Sequence, residues 1–264
     1  MSYFLSGSTA SVFWGHGGRF VIILLGVMAA IAGVAWAALL FSDLHMKSPM
    51  IATMNGPESF GFFLLSWAVM MVAMMLPAAT PMARAYVNLS VEKARGSKWI
   101  SAQAGMFLSS YLVVWTLFGL GAGELYLLLS GVVNIGTLQP IVAGGALIVA
   151  GVYQCTPLKN VCLTACHSPF FLFLRWRAGV SGAAYLGLYH AAYCIGCCWA
   201  LFLVLFAVGV ASLPWMALLT LIIFAEKTLP HGLMASYIIG ALFIALGASL
   251  IFFPEWGMRA LGLG

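Results

Sequence analysis

Thiol side chains, which hold soft metal ions, are gathered with two histidines into two short stretches of this 264-residue chain. One is Gly187 to Leu201, GLYHAAYCIGCCWAL, which carries His190, Cys194, Cys197 and Cys198. The other is Cys155 to His167, CTPLKNVCLTACH, which carries Cys155, Cys162, Cys166 and His167. All 6 cysteines of the chain fall in these two places. If the first stretch is helical, His190, Cys194 and Cys197 sit at i, i+4 and i+7 and share one face, with Cys198 beside them. Cys162 and Cys166 are also one helical turn apart. Thiolate and imidazole select copper(I) or zinc over magnesium, calcium or manganese, so the expected ligand is a soft transition metal. The spacing matches no paired CxxC zinc pattern. The plain alternative is that these cysteines are small inert hydrophobes, which sits poorly with two local clusters that each include a histidine.

Methionine supplies a third soft donor. In MMVAMMLP, Met70 with Met74 and Met71 with Met75 form two i, i+4 pairs on adjacent helix faces, ahead of Pro77 and Pro81, which end or kink the helix. Met71, Met74 and Met75 are candidate thioether ligands; the alternative is that they fill core space. Nearer the N-terminus, His45, Met46, Met50 and Met54 place three methionines four apart and suggest an outer site for metal capture. The alternative there is an interfacial helix laying methionines on lipid.

The elements that must position these groups are membrane helices. The chain is 64% hydrophobic and 6% charged, with a mean hydropathy of +1.08, whereas soluble domains carry about 25% charged residues. The expected fold is therefore all-α, a polytopic transmembrane bundle forming a single domain. A span needs about 20 apolar residues to cross about 30 Å of hydrocarbon. Seven stretches are assigned, at about 20–41, 59–76, 101–123, 138–153, 183–211, 213–228 and 233–253. Ala35-Trp36-Ala37 resembles a signal-peptidase site, but the run continues to Phe41 and is read as a retained first span.

Charge orients the bundle. With the N-terminus inside, the cytoplasmic side receives Arg19, Arg84, Lys93, Arg95, Lys98, Lys159, Arg175, Arg177 and Lys227, and the outside only Lys47 and Arg259. That bias predicts N-terminus inside and C-terminus outside. The net charge of +5 is accounted for by this excess, and no nucleic-acid partner is expected. Thiols within or inside the membrane stay reduced. At about 1.5 Å per residue, Met70 and Met71 lie roughly 16 to 18 Å below the outer surface, and His190 and Cys194 roughly 10 to 17 Å above the inner one. The two levels overlap in a core of about 30 Å, so a shared site is expected near mid-membrane, where an ionisable residue is functional by default. Glu226, near the end of the sixth span, requires a partner if it faces the bundle, with His231, Arg175 and Arg177 as candidates.

The segments MMVAMMLP, CTPLKNVCLTACHSP, GLYHAAYCIGCCW and AEKTLP together resemble the uncharacterised bacterial family of predicted metal-binding integral membrane proteins, over Met70 to Pro230. That resemblance implies a location in the bacterial inner membrane. It also implies a metal site drawn from Cys155, Cys162, Cys166, His167, His190, Cys194, Cys197 and Cys198, with Met71, Met74 and Met75 as additions.

The leading expectation is a membrane protein that binds copper, or alternatively zinc, and delivers or transports it. Lipid surrounds it, with a metal donor or acceptor protein as partner. A second expectation is an accessory subunit of a larger membrane complex. A third, enzymatic, uses Cys194 and Cys197 as the CxxC of a membrane thiol oxidoreductase; a non-enzymatic role is favoured over it because that pair is buried. Haem is disfavoured, since no CxxCH attachment signal is present.

Overall fold

A computed structural model describes residues 16–46, 57–93, 97–132, 139–167, 174–208, 212–229 and 231–255, and among these the chain is all-helical. In order the helices are α1 (His16–Met46), α2 (Pro57–Ala78), α3 (Thr80–Lys93), α4 (Ser97–Val132), α5 (Gln139–Gln154), α6 (Pro157–His167), α7 (Gly179–Val208), α8 (Leu213–Thr228) and α9 (Gly232–Phe252). Each of the seven apolar stretches overlaps one helix. The two remaining helices, α3 and α6, are the less apolar connectors.

Proline and glycine set the breaks. Pro77 lies in the last turn of α2, and the Thr80 hydroxyl donates to the Pro77 carbonyl at 2.5 Å where α3 begins. Pro157 opens α6 at a position where a missing N–H costs nothing, and the Thr156 hydroxyl accepts the Lys159 amide at 3.3 Å. Between them α5 and α6 bend by 69°. Gly179 adopts φ +85° at the start of α7, a left-handed conformation open to glycine at little cost.

Five helices, α1, α2, α4, α7 and α9, are long and apolar enough to cross a bilayer, and the bent α5–α6 pair makes a sixth crossing if counted as one broken span. The 16 residues of α8 extend about 24 Å, short of the hydrocarbon thickness of about 30 Å. The outer surfaces of the peripheral helices are apolar, as at Ile22, Val34, Leu242 and Phe252.

Packing follows two recipes. Helices α5 and α9 run antiparallel in near backbone contact: a Cβ on Gly151 would lie 2.6 Å from the Gly240 carbonyl, and one on Gly144 2.8 Å from that of Gly247. The glycines and alanines of α5 thus serve close helix approach. Gly119 and Gly123 of α4 do something else, because the rings of Trp67 and Phe63 from α2 occupy the space above them. Trp67 also donates its indole N–H to the Trp115 carbonyl at 3.0 Å and packs on Phe202 and Phe206 of α7. Helices α2, α4 and α7 therefore form an aromatic-filled centre, and α1 and α9 lie outside it.

Two helix ends meet at one level of α7, and a third helix is tied to the first of them. The Tyr153 hydroxyl near the end of α5 donates to the Gly196 carbonyl, Lys227 near the end of α8 reaches Cys194, and Ser236 in the first turns of α9 bonds Gln154. That level is where the cysteines of α7 lie.

Candidate metal centre

Cys194, Cys197 and Cys198 occupy one side of α7, as their i, i+3, i+4 spacing requires, and are fully buried. Their sulfurs lie within 4.8 Å of one another, with Cys197 and Cys198 3.2 Å apart. A fourth sulfur arrives from α6, since Cys166 Sγ stands 4.0 Å from Cys197 Sγ. All six cysteines are free thiols. A metal about 2.3 Å from each of three thiolates in a plane requires sulfurs about 4.0 Å apart. The 4.0 Å pair meets that spacing as it stands, and the 3.2 Å pair needs to open by less than an ångström. The residues present therefore fit one soft ion.

The bend between α5 and α6 delivers Cys166. Helix α6 lies across α7 so closely that a Cβ on Gly196 would be 2.7 Å from Cys162 Sγ. The glycine inside the CxxC is thus the point where α6 docks. Cys162 rests on that glycine, just outside the sulfur cluster. Cys155, at the bend, is exposed and lies against Gly240. The six cysteines separate into four that converge, one that packs and one at the surface.

Around the thiols, the Tyr111 hydroxyl of α4 stands 3.0 Å from Cys194 Sγ and donates to the Met75 carbonyl at 3.4 Å. One phenol therefore joins the methionine tract to the thiol cluster. Met70, Met71, Met74 and Met75 are all completely buried, where their polarisable side chains fill core space at least. His190, one turn before Cys194, lies between the rings of Phe107 and Tyr111, with centroids at 6.0 and 5.3 Å. Its Nε2 is buried and has no hydrogen-bond partner among the described residues. A buried imidazole nitrogen left in this state is costly, and a metal ion is one partner that would relieve it.

The ion pairs correct the sequence reading. Glu226 pairs with Lys159, Nζ to Oε2 at 2.8 Å, with both side chains buried; neither His231, Arg175 nor Arg177 supplies this pair. Its other oxygen accepts from Gln154 Nε2 at 2.8 Å, and Gln154 Oε1 accepts from Ser236 at 2.9 Å. Arg175 instead donates to the Tyr185 hydroxyl at 2.9 Å and covers the Tyr189 ring at 4.3 Å. Lys227, 3% exposed, donates to Cys194 Sγ at 2.7 Å. Two of the positive residues counted toward cytoplasmic connections, Lys159 and Lys227, are in fact interior groups.

Glu226 and Lys227 point to different sides of α8 because neighbouring helical residues are about 100° apart. Glu226 holds the α5–α6 corner that carries Cys166, and Lys227 holds the cysteine face of α7. The dipeptide thus braces both ligand-bearing elements. Lys227, Lys159 and Tyr111 escape a search for ligand residue types, though a lysine in an apolar run was the available signal for the first. His167 ends α6 with its side chain outside the described residues; the side chains of His45 and Met46 are likewise outside them, as are residues Met50 and Met54 altogether.

No curated protein and no solved structure matches the chain. A family described as PpoB2, copper chaperone, matches residues 64–250, a stretch that takes in the methionine tract, both cysteine segments and the Glu226–Lys227 pair, but not the His45–Met54 region. With well over half of its length inside that match and a cluster of buried thiols at its centre, the chain belongs to the PpoB2 copper chaperone family.

Proposed function

We propose that this protein binds one copper(I) ion within the membrane bundle and passes it to, or receives it from, a partner protein. The observation that carries this reading is the convergence of four thiols from two separate helices, with Cys166 Sγ 4.0 Å from Cys197 Sγ and the three sulfurs of α7 within 4.8 Å of one another. Cys194, Cys197 and Cys198 form the ligand set, Cys166 exchanges with them, and His190 stands one turn away, outside the grouping of those three sulfurs. Copper is preferred to zinc because the surrounding donors are sulfur-rich and the tract nearest the cluster is methionine.

The protein is read as a seven-span protein of the bacterial inner membrane, N-terminus inside and C-terminus outside, with α3 as a cytoplasmic connector and α5–α6 as a broken span. The charged ends that meet at Cys194 then lie toward the cytoplasmic side, a suitable place for exchange with a soluble or membrane-bound acceptor. Met71, Met74 and Met75 form the approach from the outer side, linked through Met75 and Tyr111, with His45, Met46, Met50 and Met54 as the outer capture site.

The test is copper(I) binding by the full chain, purified reduced in detergent. The expected result is about one ion per chain with sulfur neighbours at about 2.3 Å by X-ray absorption, and affinity that falls as pH is lowered because thiols must lose protons to ligate. Absence of stoichiometric copper(I) binding refutes the proposal.

A further inference from the structure

Among the described residues, one buried cation stands against the thiols of α7. Lys227 Nζ lies 2.7 Å from Cys194 Sγ, and its side chain is 3% exposed. The adjacent carboxylate of Glu226 is turned to Lys159, on another side of the helix. We infer that Lys227 sets the charge preference of the centre, favouring a monovalent over a divalent ion. The inference rests on the copper reading above and deepens it.

The physical argument concerns distance and sign. An ion bonded to Cys194 at about 2.3 Å lies no more than about 5 Å from an ammonium 2.7 Å from the same sulfur. At that separation the ammonium repels any metal ion, and it repels a divalent ion twice as strongly as a monovalent one. The attraction of the thiolates also favours the divalent ion; removing Lys227 changes how readily those thiols give up their protons, but that change is common to both ions when they use the same sulfurs and leaves their ratio alone. Removing Lys227 alone therefore changes the balance in one direction. With an effective dielectric of about 20, the extra unit of charge corresponds to a discrimination on the order of a hundredfold, reduced by whatever relaxation the site allows. Lysine suits this task better than a ligand would, because a protonated amine has donors and no acceptor. Lys227 is the penultimate residue of α8, and that position brings its ammonium against the cysteine face of α7.

The experiment measures copper(I) and zinc(II) affinities by chelator competition on the full chain in detergent, for the native protein and for Lys227→Met, Lys227→Gln and Lys227→Arg. The expected result is a shift of the zinc-to-copper affinity ratio toward zinc by roughly tenfold to a hundredfold in Lys227→Met. Lys227→Gln, which keeps a polar contact without charge, carries the same expectation should the methionine variant fail to fold. Lys227→Arg keeps the charge and should keep the native ratio within a few-fold. A lysine that merely braces the helices would change both affinities together and leave the ratio alone. An unchanged ratio in the neutral variants, or an equal shift in Lys227→Arg, overturns the inference while leaving the copper reading intact. A native protein that binds zinc but no copper(I) defeats the copper reading instead.

Discussion

Two lysines are buried, one paired with Glu226 and the other its neighbour in sequence, and they are treated differently. Lys159 on α6 meets a carboxylate, and that carboxylate is closed off by Gln154, itself held by Ser236. Lys227 on α8 meets a thiol, and beyond that thiol lie further thiols and the Tyr111 hydroxyl. The first arrangement is an ion pair continued by two hydrogen bonds, with no soft donor in it. The second leaves soft donors adjacent to one cation, each able to trade a weak S–H or N–H contact for a metal bond. Closed polar networks fix structure and open ones do chemistry. Here both hang from consecutive residues of one helix.

Breaking the closed network should give the largest effect. Glu226→Ala leaves Lys159 buried without its anion, and a loss of about 3 to 5 kcal/mol is expected, read as a lowered thermal midpoint in detergent. Replacing both partners, as Lys159→Met with Glu226→Met, should recover most of that loss, because an apolar pair of similar volume is tolerated where half a pair is not.

Changes on the open side should leave stability nearly alone and act on binding. Cys197→Ser removes the sulfur nearest both Cys198 and Cys166 and should weaken copper(I) by about a hundredfold or more, beyond the roughly 10- to 100-fold typical of groups that only orient a ligand. Tyr111→Phe removes such an orienting group and should cost roughly tenfold by the same chelator competition. At the small end, Cys155→Ser should leave copper stoichiometry and affinity unchanged, since that thiol is exposed and outside the cluster. A Cys155→Ser variant that loses copper would show that the four-thiol grouping is the wrong one.

The contrast between α5–α6 and α7 shows why some of this was readable beforehand. In α7 the ligand geometry is local: helix periodicity alone places Cys194, Cys197 and Cys198 together, and the sulfurs are found together. For α6 no local rule applies. In sequence Cys162 and Cys166 are one turn apart and nothing ranks one above the other as a ligand; the separate fates of the three cysteines depend on a 69° bend and on a glycine that admits one sulfur beside α7. The candidates for Glu226 in sequence are His231, just beyond its helix, and Arg175 and Arg177 ahead of α7; the partner found is Lys159 on α6, 67 residues away. The ends of α5 and α8 meet α7 at Cys194 to Gly196, so the cluster sits where two 16-residue helices end.

What the residues alone determined is the helical class and the gathering of soft donors, because apolar content and a 3.6-residue period act over short range and need no partner. What only the folded chain decided is which donors meet, where the two interior lysines go, and that a phenol links methionines to thiols. Those outcomes depend on close approach between elements far apart in sequence, and close approach is settled by the fit of glycines, rings and bends in three dimensions.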